Sequence, residues 1–209
     1  DVTCESAMER LFARIREDGP PLRGIIHSAG LLADAGIQQQ SAETVRTVMA
    51  PKVDGTYILE KLSRGDPIDI FCAYSSLAAV LGSPTQSNHS GANAALGSIM
   101  RERNRRGLPG LAIDWGPWSD IGAAAGNTTL DRLSEQGIAA LTPAEGRAAS
   151  AYLMNVASGQ VAVAPINWQK LSEWRGDKAN PVFSHLIRRD HSASNTNAAS
   201  VSSTGARGR

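Results

Sequence analysis

Apolar residues along the chain follow two alternating patterns. One is helical: in segment 5–17 they recur every three or four positions, at Met8, Leu11, Phe12 and Ile15. The same spacing is found in the later segments 41–62 and 90–106. Short apolar runs, which are typical of buried strands, separate these segments at 22–26, 68–74, 111–115 and 161–166. Helices that alternate with buried strands predict βαβ units, and therefore an α/β fold with a parallel sheet.

Proline and glycine modify two of the predicted helices. Pro51 and Gly55 interrupt segment 41–62, so the sequence predicts either one bent helix or two short ones. Residues 142–145 read Thr-Pro-Ala-Glu, a capping box with proline at the first helical position. This motif predicts the start of the helix that runs to about position 155.

Composition excludes several classes of function. The 209 residues carry 21 Lys and Arg against 20 Asp and Glu, so no strong field favours nucleic acid or an acidic membrane surface. No apolar run approaches the ~18 residues of a membrane span, and the first residues lack the apolar core of a signal peptide. Cys4 and Cys72 are too far apart in sequence to indicate a disulfide framework or a metal site. We expect a soluble, cytoplasmic chain without a metal ion.

The carboxyl-terminal part of the chain differs in composition. Residues 192–209 are almost wholly Ser, Ala, Asn, Thr, Gly and Arg, which bury too little apolar area to fold. We therefore expect one folded domain over residues 1–171 and a polar linker or tail over residues 172–209. The chain starts without Met, at what the pattern predicts to be a strand-to-helix turn. We accordingly expect it to be part of a longer protein.

Small or polar residues follow three of the predicted strands. They are Ala29 and Gly30, Ser75 and Ser76, and Gly116 and Pro117. In an open parallel sheet, ligands bind outside the carboxyl ends of the strands, so these clusters predict one shared crevice. The alternative is that each cluster is an ordinary tight turn.

Four stretches of the sequence form a pattern with a known counterpart. They read HSAGLLADAGI from His27, APKVDGTYIL from Ala50, AYSSLAAVLGSPTQSNHSGANAAL from Ala73 and LAIDWGPW from Leu111. Together they resemble the ketoreductase domains of modular type I polyketide synthases, in the short-chain dehydrogenase/reductase superfamily. The resemblance covers roughly residues 1–170 and implies a Rossmann-like, doubly wound parallel sheet. The glycine-rich phosphate loop of such domains is not in this sequence, so we expect a sheet that is incomplete at the amino terminus.

The resemblance implies four catalytic positions: Lys52, Ser76, His89 and Asn93. Their separations of 24, 13 and 4 residues match the family pattern of Lys, Ser, Tyr and Asn. Ser76 would donate a hydrogen bond to the substrate carbonyl and stabilise the oxyanion that develops as hydride arrives. Positions 89 and 93 lie one helical turn apart, so Asn93 could organise a water molecule or Lys52 beneath the proton donor. The charge of Lys52 would lower the pKa of a phenol at position 89 toward neutrality.

Position 89 departs from the family pattern, because it holds histidine in place of the catalytic tyrosine. An imidazole has a shorter reach than a phenol, and the charge of Lys52 disfavours the imidazolium form. The neutral ring still donates one hydrogen bond, so His89 could orient a substrate while delivering protons poorly. Loss of a general acid lowers a rate roughly 10²–10⁴-fold. The resemblance therefore leaves two alternatives, a reductase that turns over through His89 and a silent domain retained for its structure.

The resemblance also implies a cofactor and partners. NADPH would contact Asp1 and Val2 with its adenine, Ala29 and Gly30 with its ribose, and Pro117 and Trp118 beside its nicotinamide. The substrate would be a β-ketoacyl thioester, carried on the phosphopantetheine arm of an acyl carrier protein and reduced to the β-hydroxyacyl thioester. Other polyketide synthase domains would be further partners. A third alternative is a free-standing short-chain dehydrogenase, which the positions of Lys52 and Asn93 and the polar tail disfavour.

Two further features bear on specificity and docking. Family members that make one alcohol configuration carry Leu-Asp-Asp where this chain has Leu32, Ala33 and Asp34, and the opposite class carries Trp where this chain has Leu81. Leu32 and Asp34 favour the first class, while a solvated loop carboxylate is the simpler interpretation of Asp34. The arginines at positions 101, 103, 105 and 106 predict a solvated helix end, or a docking patch for an acidic carrier protein.

Overall fold

The computed structural model describes residues 1–121, 127–176 and 182–187. Within them, one sheet is formed by β1 (Gly24–His27), β2 (Ile70–Ser76), β3 (Leu111–Trp115) and β4 (Gly159–Val163). The strands pair in parallel, in the order β1-β2-β3-β4. Consecutive parallel strands require a crossover between them, which helices supply here. The predicted α/β class with a parallel sheet is confirmed.

Helices flank the sheet, with one 3₁₀ turn at Ile37–Gln39. They are α1 (Glu5–Asp18), α2 (Ala42–Leu62), α3 (Ala78–Leu81), α4 (Ser87–Arg105), α5 (Asn127–Glu135), α6 (Pro143–Val156) and α7 (Trp168–Arg175). The start of α6 is the predicted capping box. Thr142 Oγ1 accepts from the Glu145 N–H, and the Glu145 carboxylate accepts from the Thr142 N–H.

Side chains of the strands enter a core on each face of the sheet. Ala112 of β3 packs with Phe12 of α1 and Leu96 of α4 on one face. Its neighbour Ile113 packs with Leu141 and with partly buried side chains of α6 on the other. Because helices cover both faces, the sheet is doubly wound, as expected for a Rossmann-like domain.

Two predicted elements differ from the observed ones. Segment 41–62 forms one helix, although Pro51 lacks the N–H that would bond one turn back. Val48 and Thr56 lie fully buried on either side of that proline, so packing holds the helix together there. The last strand is Gly159–Val163 rather than 161–166, because its pairing with β3 starts at Gly159. Ile166 instead makes an isolated bridge beyond the strand.

The first strand is less buried than its apolar sequence predicts. Ile25 and His27 point into the core, whereas Ile26 is 56% exposed on the opposite face. The described residues supply a helix layer for only one face of β1. The alternation of exposed and buried residues follows from this one-sided cover.

The arginine cluster is not the fully solvated helix end that the sequence predicts. The Arg103 side chain is 4% exposed, whereas that of Arg105 is 77% exposed. Arg103 Cζ lies 4.0 Å from the centroid of the Phe71 ring, and its Nη1 lies 3.5 Å from Glu60 Oε1. Position 103 lies on the same buried face of α4 as Leu96 and Met100, so packing carries this arginine into the core.

The predicted boundary after position 171 falls inside α7, where Leu171 is buried. Most of the predicted tail, including all of residues 192–209, lies outside the described residues. In the part that is described, no helix is long and apolar enough to cross a membrane. The same residues contain no cluster of His, Cys, Asp and Glu side chains that could hold a metal ion.

Candidate active site

A cavity of about 690 Å³ opens at the carboxyl ends of β2 and β3. Its lining includes Lys52, Ser76, His89 and Pro117, which come from widely separated parts of the sequence. The fold thus brings the clusters after β2 and β3 to one cavity, whereas Ala29 and Gly30 after β1 do not line it. Leu32 and Asp34, the residues considered for stereochemical class, also line it.

Lys52 reaches this cavity from the buried face of α2. Its side chain is 7% exposed, and Nζ donates to the carbonyl of Tyr74 at 3.1 Å. Burial lowers the pKa of Lys52 to about 8, so the ammonium form still dominates at neutral pH. A Cβ on Gly30 would lie 3.1 Å from Lys52 Cε, so glycine leaves the room that this lysine occupies.

His27 supports the turn of α2 that carries Lys52. It ends β1, is 4% exposed, and donates from Nε2 to the carbonyl of Pro51 at 3.0 Å. Burial lowers the pKa of His27, so the ring remains neutral and keeps its hydrogen on Nε2. No local sequence pattern marks this bond, because it joins residues 24 positions apart.

The two serines at the end of β2 have different surroundings. Ser75 is buried, and its hydroxyl donates to the backbone carbonyl of Asn93 at 3.2 Å. Ser76 lines the cavity, and its Oγ accepts the N–H of Ala78 at 3.2 Å. Because Ser76 Oγ is held as an acceptor, its own hydrogen is available for a ligand oxygen.

His89 stands on the first turn of α4, partly buried beside the cavity. Its Nδ1 is buried and has no hydrogen-bond partner among the described residues, so Nε2 is the nitrogen left to meet a ligand. Burial lowers the pKa of His89, and the charge of Lys52 lowers it further, while Asp34 raises it. At neutral pH the imidazole is therefore mostly uncharged.

Asn93 lies directly beneath His89 and is fully buried. Its Nδ2 donates to the backbone carbonyl of His89 at 2.8 Å. Its Oδ1 is buried and has no partner within the described part of the chain. Asn93 thus fixes the first turn of α4 and does not line the cavity.

The residues expected to bind the cofactor divide into two groups. Pro117 and Trp118 line the cavity, whereas Asp1, Val2, Ala29 and Gly30 do not. Asp1 Oδ1 accepts hydrogen bonds from the N–H and the hydroxyl of Thr3. Val2 packs on α2, where a Cβ on Gly55 would approach it to 2.9 Å.

Trp118 is held against α6 at Gly146. A Cβ at position 146 would lie 2.1 Å from Trp118 Cη2, so replacing Gly146 must displace the indole. We expect Gly146→Ala to lower the free energy of unfolding by about 1–3 kcal/mol in urea titrations, as overpacking does. Gly91→Ala is the control, since a Cβ there meets nothing within 4 Å, and it should be neutral or stabilising. Equal stability of both variants would contradict this account of Trp118.

The cavity also has a side formed by α5 and α7, whose residues the sequence did not predict to belong to the site. Arg132, Gln136, Trp174 and Arg175 line it there. No motif marks these residues, because they lie far from the strand ends in sequence. Only their tertiary placement beside the carboxyl ends of the strands shows that they belong to the site.

The parallel, doubly wound sheet and the lysine, serine, histidine and asparagine at its carboxyl edge define a Rossmann-like domain of the short-chain dehydrogenase/reductase class. A family model described as the KR domain matches residues 1–120. The chain belongs to this family, the ketoreductase domains of polyketide synthases.

Similar sequences occur in large polyketide synthases. The chain is 39% identical over 150 residues to a phthioceranic/hydroxyphthioceranic acid synthase of Mycobacterium tuberculosis, covering 70% of this chain and 7% of that protein. It is 35% identical over 151 residues to the polyketide synthase GfsE of Streptomyces halstedii, covering 69% of this chain and 4% of that protein. The chain therefore spans a small part of the length of these relatives.

Solved ketoreductases have the same fold. A structure of A-type ketoreductases from a modular polyketide synthase gives a TM-score of 0.79 at 28% identity, covering 83% of this chain and 37% of that one. A ketoreductase from the first module of phoslactomycin biosynthesis in Streptomyces sp. HK803 also gives 0.79 at 28% identity, covering 88% of this chain and 43% of that one. These matches confirm the predicted fold and family.

Proposed function

We propose that this chain forms the catalytic part of an NADPH-dependent ketoreductase. The reaction reduces a β-ketoacyl thioester, carried by an acyl carrier protein, to the β-hydroxyacyl thioester. The observation that carries the proposal is the convergence of Lys52, Ser76 and His89 on one cavity, at the edge of the sheet where ligands of such folds bind. Acyl carrier protein and other synthase domains are its proposed partners, by analogy with the multidomain relatives.

The residues present fit a nicotinamide cofactor. Gly30 has no side chain at the point where Lys52 passes close to the backbone. Pro117 and Trp118 line the same cavity as Ser76. When bound, the cofactor supplies a hydride, two electrons and one proton, to the β-carbon. Asp1, Val2, Ala29 and Gly30 remain the proposed contacts for its adenine and ribose.

The side chains then have separate tasks. Ser76 donates its free hydrogen to the carbonyl oxygen and stabilises the developing oxyanion. His89 delivers a proton from Nε2 to that oxygen. Lys52 lends positive charge to the same region, and Asn93 holds the backbone of His89 in place. The product keeps its thioester and gains a hydroxyl group.

A silent domain is the second candidate function, and the observation that favours it is histidine at position 89, where burial and the charge of Lys52 lower the pKa of the ring. A neutral imidazole is a weak proton donor, so in this alternative reduction of the carbonyl is too slow to support turnover. The free-standing dehydrogenase is less well supported, since the relatives described above are multidomain synthases.

Deuteride transfer distinguishes the first two candidates. The chain is extended with the upstream half of a ketoreductase domain, so that a glycine-rich loop is present, and given 4-deuterated NADPH and a β-ketoacyl pantetheine thioester. We expect deuterium at the β-carbon of the product, measured by mass spectrometry. Ser76→Ala should slow its appearance roughly 10²–10³-fold, as loss of an oxyanion donor does.

Ser87→Ala is the matched control, because Ser87 is exposed and does not line the cavity. It should leave the rate unchanged. If NADPH binds and no deuterium transfers at any pH between 5 and 8, the silent domain is the correct interpretation.

A further inference from the structure

Two loops meet at the edge of the cavity. Loop 31–36, which we call the strap, follows β1, and it and the loop that joins α3 to α4 both contribute residues to the lining. The Ala35 N–H donates to the carbonyl of Thr85 at 2.9 Å. Gln86 Nε2 donates to Asp34 Oδ2, also at 2.9 Å. The strap is thus fastened to the loop that leads into the catalytic helix α4.

The strap is also tied to the backbone of His89. Asn88, which is buried, donates from Nδ2 to the carbonyl of Ala33 at 2.8 Å. Its Oδ1 accepts the N–H of His89 at 2.7 Å. Because one side chain bonds both partners, release of the strap frees Asn88 and loosens its hold on the first turn of α4.

Apolar packing contributes little to holding the strap. Leu31 and Leu32 are 55% and 43% exposed, and Ile37, directly after the strap, is 78% exposed. A segment that is held by a few hydrogen bonds and buries little apolar surface opens locally at a low free-energy cost. The strap is therefore a part of the cavity wall that is suited to move.

Thr85 fastens the strap in a conformation that threonine disfavours. Its φ of +63° lies in the left-handed region, and in the described part of the chain no other non-glycine residue adopts a positive φ. A β-branched side chain is strained there, because its Cβ crowds the backbone. The Thr85 hydroxyl donates to the carbonyl of Pro84 at 2.6 Å, which offsets part of the strain. The remaining strain is present while the strap is fastened and is relieved when the loop opens, so it favours the open state.

We propose that Thr85 is a specificity-determining residue of the reductase. Strain in the fastened loop keeps the strap easy to open, and the open strap admits β-ketoacyl thioesters with long acyl chains. Leu32 of the strap then offers an apolar side chain to the acyl chain at the edge of the cavity. This inference rests on the proposed function, since it names the class of acyl substrate that the reaction would take.

Hydrogen exchange of the Ala35 amide, measured by NMR on the 209-residue chain, tests the strain, because this N–H is bonded to Thr85 while the strap is fastened. Glycine and asparagine tolerate a positive φ, so Thr85→Gly and Thr85→Asn should slow this exchange roughly tenfold. Thr85→Val keeps the branched Cβ but loses the bond to Pro84, so it should speed the exchange roughly threefold. Ser87→Asn is the matched control, because position 87 has no positive φ, and it should leave the exchange unchanged.

The dependence on acyl-chain length tests the link to specificity. The upstream-extended chain is given an acetoacetyl and a β-ketododecanoyl thioester of pantetheine. Thr85→Gly favours the fastened strap, so it should raise the KM for the longer substrate roughly three- to tenfold, because only the open fraction binds it. The KM for the acetoacetyl thioester should change by less than about twofold. Ser87→Asn should change neither value.

The outcomes separate this proposal from the proposed function. Equal Ala35 exchange in the parent chain and in Thr85→Gly would mean that the fastened strap is unstrained, and the proposal would be wrong. Slower exchange with the same change in KM for both thioesters would also overturn it, since the strap would then not select by chain length. If the extended chain reduces neither thioester, the reductase function fails, and calorimetric affinities of the two thioesters decide the proposal by the same chain-length comparison.

Discussion

Replacing His89 by tyrosine is expected to raise the rate of β-keto thioester reduction by about 10²–10⁴-fold. A phenol at this position would line the same cavity as Lys52 and Ser76, and Asn93 already holds the backbone of this turn of α4. The buried ammonium of Lys52 would stabilise the phenolate that remains after proton transfer. The measurement is the steady-state rate of NADPH oxidation by the upstream-extended chain, with a β-ketoacyl pantetheine thioester.

The two proteins should also differ in pH dependence. Burial and the charge of Lys52 hold the pKa of His89 below its ordinary value of 6.5, and only the protonated ring can donate its extra proton. The His89 protein should therefore lose activity as the pH rises through that lowered pKa. The tyrosine variant should remain active well above pH 7, since Lys52 keeps its charge up to its own pKa of about 8.

His185→Tyr is the matched control, because His185 is exposed and does not line the cavity. It should leave both the rate and the pH profile unchanged. If His89→Tyr turns over no faster than the original protein, with the same pH profile, histidine is a competent donor and the argument from Lys52 is wrong. If neither turns over while both bind NADPH, the domain is silent.

The fold and much of the candidate site could be predicted from local sequence. Short apolar runs identified the strands, and β3 ends where its pattern does, at Trp115. Ser76 was found because ligands of parallel sheets bind at the carboxyl ends of the strands, whereas Lys52 and His89 were found through the resemblance to ketoreductase domains. Boundaries were less predictable: β4 starts at Gly159 because pairing with β3 decides it, and a local pattern carries no information on pairing partners.

Contacts between segments that are far apart in the sequence could not be predicted from it. Gln136 and Arg175 join the cavity through the packing of α5 and α7, and His27 joins α2 through a bond to a backbone carbonyl. Arg103 is different, since its spacing from Leu96 and Met100 already placed it on the buried face of α4. The three other arginines nearby favoured a solvated helix end more strongly than this periodicity opposed it, and for Arg103 that expectation was wrong.

Alanine variants of the three arginines at the end of α4 should differ in their free energy of unfolding, according to how deeply each side chain is buried. Arg103→Ala is expected to lower the free energy of unfolding by about 2–4 kcal/mol, less than the full cost of leaving a buried carboxylate unpaired, because Arg106 still contacts Glu60. The side chain is 4% exposed and also donates from Nε to the carbonyl of Pro109 at 2.9 Å. Its loss removes the packing on Phe71 and leaves that carbonyl without its donor.

The neighbouring arginines supply the controls. Arg106 contacts the same carboxylate at 2.7 Å from a side chain that is 43% exposed, so Arg106→Ala should cost about 1 kcal/mol or less. Arg105 is 77% exposed and pairs within the helix with Glu102, so Arg105→Ala should stay within about 0.5 kcal/mol. Urea unfolding of the three variants measures the order of their losses in stability. Equal losses would contradict the burial of Arg103, because Arg105 makes one exposed ion pair whereas Arg103 contacts Phe71 and Glu60 in the core.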